Sequence, residues 1–154
     1  MNKERLNKLV DLLENLPKER EKLNYGMDIP TDFDLAVWYE KSPCGTSACA
    51  IGHAMLHPWF YEQGLKFDYG NDNDTAYHNL EPIFENGLGI HSSWNAVAAF
   101  FDISHSDAEM LFQDEGYEHE QGLLVKVTPD EVAARIKEYL AGTLIYCDDD
   151  FERI

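Results

Sequence analysis

Four side chains stand at chelating intervals in one short stretch. Cys44, Cys49, His53 and His57 are spaced C-x4-C-x3-H-x3-H within SPCGTSACAIGHAMLHP. Thiolate and imidazole are the ligands of structural zinc, so these four residues are the first candidate metal site. Their spacing argues against one four-ligand centre. If Cys49, His53 and His57 share a helix, the outer two are about 12 Å apart along its axis, at ~1.5 Å of rise per residue. His53 and His57 can chelate as a pair, but all three cannot reach one ion. The long insert between the cysteine and histidine pairs of a classical finger is missing too. The competing expectation is a packed helix with buried cysteines and histidines at its edge.

Cys49 has a second candidate role. A thiol near a helix N-terminus loses its proton readily and becomes a nucleophile. Its histidine would then come from elsewhere in the chain, from His78, His91, His105 or His119. A third constellation, Asp68, Asp72 and Asp74 with Asn71 and Asn73, has calcium-binding composition. It lacks the glycine and the terminal glutamate of an EF-hand loop, so a solvated turn is expected there. No P-loop, dinucleotide glycine fingerprint, G-x-S-x-G or H-E-x-x-H motif occurs, and no cofactor is expected.

Charge narrows the field further. The 154 residues carry 12 basic and 29 acidic side chains, a net charge of −17. Between Phe67 and Val125 there is no lysine or arginine, while twelve Asp and Glu fall there. A phosphate backbone and an anionic membrane leaflet would both be repelled, because affinity for either rests on cations. Basic protein surfaces would be attracted. The acids expected to form a docking surface are Asp68, Asp72, Asp74, Glu81, Glu85, Asp107, Glu109, Asp114, Glu115, Glu118 and Glu120, with a short acidic tail at about 148–154. The plainer expectation is that such acidity only confers solubility. An odd, low cysteine count (Cys44, Cys49, Cys147) and the absence of a secretory leader pattern point to the cytoplasm.

The elements that must position these residues are mostly helical. Leu6, Leu9, Val10, Leu13 and Leu16 make one stripe of a helix over 2–16, which Pro17 ends or turns. Phe33 to Tyr39 reads as either strand or helix. Thr46 or Ser47 is placed to cap a helix of small residues through Leu56 that packs centrally, with Pro58 ending it. Tyr77 to Phe84 and Leu88 to Ile90 are expected to pair across Asn86-Gly87, with Pro82 marking an edge strand. Ser92 or Ser93 opens one helix and Ser104 the next. This hairpin has helix-turn-helix length, but its second helix offers His105, Asp107 and Glu109 where a DNA reader carries cations. Thr128-Pro129-Asp130-Glu131 is a capping box with proline at the first helical position, and Gly142 is the stop. The expected fold is α+β, mostly helical, one domain of about five helices and a small antiparallel sheet or hairpin. Its expected core includes Leu9, Leu13, Trp38, Cys49, Ile51, Trp94, Val97, Phe101, Leu111, Val132 and Ile136.

Three stretches resemble a group of small phage and bacterial proteins. Phe33, Asp34, Leu35 and Trp38, followed by Cys44, Gly45, Thr46, Cys49, Gly52 and Ala54, fit its pattern F-D-(M/L)-x-x-W … C-G-T-x-x-C-x-x-G-x-A. Phe100, Phe101, Ser104, Ala108, Leu111 and Phe112 follow its paired short helices, and Thr128 to Leu140 its closing helix. The resemblance covers roughly half the chain in the same order. It implies a shared fold and a phage or prophage origin, with the host cytoplasm as the compartment, and it implies no activity. His53 stands where the group often has tryptophan, which weakens a metal role for it. Asp102 replaces the glycine of the turn between the paired helices.

The leading functional expectation is a non-enzymatic acidic protein that docks on a basic surface of a host protein, as an inhibitor or nucleic-acid mimic. The alternative is a small cysteine- or metal-dependent hydrolase using Cys49 or Cys44 with a histidine.

Overall fold

The computed structural model describes residues 1–19, 30–42, 45–67, 80–87, 89–113, 117 and 127–143. Helix α1 (Lys3–Glu14) starts because the Asn2 side chain accepts a hydrogen bond from the Arg5 N–H at 3.0 Å. Leu6, Leu9, Val10, Leu12 and Leu13 bury its apolar stripe. The helix stops at Asn15, two residues before Pro17, and a single turn, α2 (Leu16–Glu19), follows. Proline is tolerated there because a first turn has no use for its missing N–H.

Residues 33–39 are neither one strand nor one helix. Strand β1 (Asp32–Phe33) gives way to a turn in which the Asp34 carboxylate accepts the Ala36 N–H at 2.9 Å. Strand β2 (Tyr39–Ser42) then runs antiparallel to β3 (Gly45–Ala48), with Glu40 opposite Ser47. Thr46 and Ser47 therefore sit in a strand and do not cap a helix. Gly, Thr and Ser are poor helix formers, and pairing on both sides of β3 satisfies backbone groups that a cap would leave open. The sheet order is β1-β3-β2, with β1 parallel to β3.

Helix α3 (Ala50–Leu56) begins two or three residues later than a Thr46 or Ser47 cap would place it and is buried throughout. Helix α4 (Pro58–Glu62) follows, capped by His57. The second sheet joins β4 (Lys66–Phe67), β5 (Pro82–Asn86) and β6 (Gly89–Ser92) in that order, all antiparallel. A hairpin forms around Asn86-Gly87, but between Pro82–Asn86 and Gly89–Ser92, with Asn86 opposite Gly89; Tyr77 to Asn79 of the expected first strand and Leu88 of the second lie outside the described residues. Pro82 does not mark an edge. It is the first residue of the central strand, a position where proline disturbs few ladder bonds.

Helix α5 (Ser93–Phe101) packs on β5 and β6 and against α6 (His105–Phe112). Asp102 ends α5 in the left-handed conformation, φ 55°. Glycine enters that region without strain and aspartate tolerates it. The Ser104 hydroxyl accepts the Asp107 N–H at 3.0 Å and starts α6. Helix α7 (Pro129–Ala141) carries the full capping box of Thr128 and Glu131, ends at Gly142 with φ 74°, and lies along α1. The protein is thus α+β and mostly helical, with five helices of seven or more residues among those described. Among the described residues there are two small three-stranded sheets where one was expected.

One apolar cluster joins α1, α3, α5, α6 and α7 to both sheets. Phe60, Phe84, Phe100, Phe101 and Phe112 form a chain of ring contacts through it. Nine of the eleven expected core residues are buried. Trp38 and Trp94 are only partly buried and pack against the cluster from outside.

Candidate functional site

Helix α3 presents the cysteine and histidines. Cys49 is its N-cap: the thiol sulfur accepts the Gly52 N–H at 3.4 Å and lies 3.8 Å from the Trp38 carbonyl. The sulfur is sealed in, with 2% of the residue exposed. Burial pushes its pKa up to about 12, against the smaller lowering effect of the backbone N–H groups around it. The expectation of an acidified thiol at a helix start is therefore reversed. Desolvation outweighs the few dipoles of a seven-residue helix. Cys49 is a packing and capping residue, and at neutral pH it is a protonated thiol.

The histidines are buried and do not sit at an exposed helix edge. His53 is fully enclosed, its Nδ1 2.8 Å from the Cys49 carbonyl oxygen and its ring 5.5 Å from that of Phe33. A carbonyl only accepts, so Nδ1 carries the proton. His57 lies between α3 and α4, outside the helix that would have aligned it with His53. Its Nδ1 accepts the Trp59 N–H at 3.2 Å, which leaves the ring proton on Nε2, 3.0 Å from Glu19 Oε1. Both nitrogens of His57 are thus committed to protein partners, and a metal would have to displace one of them. Among the described residues no three of His, Cys, Asp and Glu converge as ligands. Cys44, His78 and His119 lie outside the described residues, as do Asp68, Asp72 and Asp74.

Beside Cys49 the surface opens into a cleft of about 120 Å³. Its described lining is the turn from Leu35 to Trp38, Cys49, Trp94 on α5, and Phe112 and Gln113 at the end of α6. The Trp38 and Trp94 rings touch, centroids 4.6 Å apart and planes tilted by 55°. Gly52 brings α3 against this turn, because any side chain there would strike the Trp38 carbonyl. Among the described residues no lysine, arginine or acid lines the cleft. Nothing in the residue pattern marks it, since both tryptophans read simply as core.

Several cations among the described residues lie on aromatic rings. Arg5 donates to the Phe100 carbonyl at 2.8 Å and to Gln63 Oε1 at 3.2 Å, and its guanidinium lies 4.2 Å over the Phe100 ring. Burial lowers its pKa, while the charge of Glu4 opposes that shift. Arg135 sits 3.8 Å over Tyr117 and donates to the Met110 carbonyl at 3.2 Å. Lys8 lies over Trp59 and Lys66 over Tyr61. Four cations are thereby held on aromatic faces. Lys137 pairs with Glu14, and the N-terminal ammonium with the exposed Asp102 at 3.1 Å.

Of the acids expected to form the docking surface, Glu81 and Glu85 are exposed. Asp107 is half-buried and accepts the Tyr139 hydroxyl at 2.7 Å, and half-buried Glu109 lies 3.8 Å from His105. Asp114, Glu115, Glu118, Glu120 and the tail lie outside the described residues. Glu85 is opposite Ile90 on the β5–β6 hairpin, and Ile90 is the most exposed large apolar residue among those described. Among the described helices none is long and apolar enough to cross a membrane.

Compared with family models, curated proteins and solved structures, the chain has no match.

Proposed function

We infer that the protein is a non-enzymatic docking protein whose acidic exterior binds the basic surface of a partner protein. The observation that carries this reading is the excess of 29 acidic over 12 basic side chains, with no lysine or arginine between Phe67 and Val125. Arg5, Lys8, Lys66 and Arg135 lie on aromatic rings, two of them also donating to main-chain carbonyls. The net charge of −17 already counts every cation, so these contacts leave the negative field as it stands. The burial and raised pKa of Cys49 weigh against the hydrolase alternative through that residue. The resemblance to phage and bacterial proteins supplies the direction. The partner is a host protein that handles nucleic acid, and the carboxylates stand in for phosphates, as an inhibitor or mimic. The host cytoplasm is where the two would meet. Direct binding to nucleic acid or to an anionic membrane is opposed by the same field.

Affinity capture from a host lysate at low and high salt, followed by titration of the purified partner, tests this. The expected result is a basic partner whose association weakens steeply with salt, as screening of complementary charges requires. Duplex DNA should compete for the partner and leave the protein itself unbound. Tight binding of the protein to plain duplex at ordinary ionic strength would overturn the reading. So would failure to enrich any basic partner at low salt.

A further inference from the structure

We propose that β6 is the edge to which a basic, extended segment of the partner adds as a further strand, with a lysine or arginine of that segment lying across Ile90 toward Glu85. The inference rests on the acidic-docking reading and adds the surface and the kind of contact. Strand β6 is last in the order β4-β5-β6, so among the described strands it pairs on one side only. Asn86 and Gly89 close the hairpin across positions 87–88 and are its innermost, hydrogen-bonded pair. Antiparallel pairs alternate in type, so Glu85–Ile90 and Ile83–Ser92 are the pairs that exchange no main-chain bonds. The N–H and C=O of Ile90 and the N–H of Ser92 therefore point away from β5. Among the described residues these groups have no main-chain partner, and Gly89, Ile90 and Ser92 are all exposed.

The edge lacks the devices that usually protect an open strand, such as lysine or proline. Strand β6 reads GIHS, with no lysine, acid or proline, and Ile90 is 66% exposed. Such an edge is a template for strand addition, in which the main chain supplies affinity and alternate side chains supply specificity. Phe84 turns into the core, so Ile83, Glu85, Ile90 and Ser92 share the opposite face of the sheet. Charge selects the occupant. Exposed Glu85 stands directly opposite Ile90, and exposed Glu81 precedes β5. Among the described residues neither carboxylate is ion-paired. Lys66 belongs to this sheet but lies on β4, at the far edge, with its Nζ 4.8 Å over the Tyr61 ring. A strand added to β6 would run about 10 Å from β5, at ~4.8 Å per strand. A lysine or arginine on it can lay its methylene stem on Ile90 and bring its charge to Glu85. A second copy of this chain fits worse, because pairing β6 with β6 would bring together two chains of charge −17.

The test uses an acetylated, amidated pentapeptide of alternating lysine and valine as the probe. Beside it run the same peptide N-methylated at each lysine nitrogen and a peptide with serine in place of lysine. Titrations at low and high salt follow the main-chain amide signals of the protein. The lysine peptide should shift the Ile90 and Ser92 amides saturably and weaken as salt rises. The N-methylated peptide keeps the charge and loses the donors that face β6, and should bind about tenfold more weakly. The serine peptide should also be about tenfold weaker at low salt. Glu85→Gln should weaken the lysine peptide about two- to fivefold. Ile90→Lys, at an exposed position and checked for folding by circular dichroism, should abolish saturation, because it gives the edge the charge it lacks.

Equal binding of the lysine and N-methylated peptides, or binding that leaves the Ile90 and Ser92 amides unmoved, overturns the proposal. If salt still weakens that binding, the edge fails while the docking reading stands. Indifference of the lysine peptide to Ile90→Lys likewise overturns the edge alone. A serine peptide that binds as well as the lysine one overturns the basic occupant, and if salt then has no effect on either peptide the docking reading fails with it. Dimers that form with rising concentration in sedimentation, without peptide, and that move the same two amides overturn the proposal in favour of a second copy.

Discussion

Replacing Gly52 with alanine should destabilise the protein, although in an exposed helix the same change stabilises by about 1 kcal/mol. The reason is the approach of α3 to the turn before β2. An ideal Cβ on Gly52 would lie 1.8 Å from the Trp38 carbonyl oxygen and 2.9 Å from the Ala48 Cβ. Real Cβ contacts essentially never fall under 3.0 Å, so helix and turn must separate by at least 1.2 Å. The blocking atom is backbone, held by the Cys49 N–H at 3.3 Å, and cannot swing aside as a side-chain tip would. Overpacking of this kind costs about 1–3 kcal/mol, occasionally more, and should outweigh the gain in helix propensity. At ~2–4 °C per kcal/mol for a chain of this size, the melting temperature should fall by roughly 2–12 °C. Thermal and urea unfolding of Gly52→Ala measure it, with Ala134→Gly on the exposed face of α7 as a pure propensity control. The indole signals of Trp38 and Trp94 should shift in Gly52→Ala and stay fixed in the control. A Gly52→Ala protein as stable as the parent, with Trp38 unmoved, would refute the close approach and with it the geometry of the cleft.

Other expectations follow from single contacts. Thr128→Ala removes the hydroxyl of the capping box and should cost about 1 kcal/mol, read as a lower urea midpoint at unchanged slope. Cys49 should resist a thiol reagent at pH 7 in the folded protein and react on unfolding; Cys49→Ser, which keeps an acceptor for the Gly52 N–H, should be better tolerated than Cys49→Ala. Stability should also decline in alkali. The folded Cys49 pKa is about 12, above the unfolded value near ~8.5, so its contribution is complete below about pH 8.5 and is lost as pH rises toward 12. Tyr117, also raised by burial, acts in the same direction. Urea midpoints at pH 7, 9 and 10.5 should fall in the parent and fall less in Cys49→Ala.

Local signals were legible wherever a few neighbouring residues settle the structure among themselves. The stripe from Leu6 to Leu13, the Ser104 cap, the Thr128–Glu131 box and the Gly142 stop need only an i, i+3 or i+4 relation. They appear where the periodicity places them. The hairpin around Asn86-Gly87 is of the same kind. Misreadings came where a distant partner overrides local preference. Thr46 and Ser47 have the chemistry of helix caps, yet β2 and β1 recruit them into a strand and pass the cap to Cys49. Pro82 has the signature of an edge, yet β4 reaches only its first residues and makes β5 central.

Composition and order alone determined the net charge, the 59-residue stretch without a cation, the helical majority and most of the core, because each depends on residue type and short-range spacing. Tertiary structure decided what the striking residues do. Only the packed chain shows that Cys49 is desolvated rather than activated, since a thiol's pKa depends on how much water and protein surround it. Only the packed chain turns Trp38 and Trp94, 56 residues apart in sequence, into the walls of one cleft. No local rule encodes that meeting, because it depends on how separate elements pack.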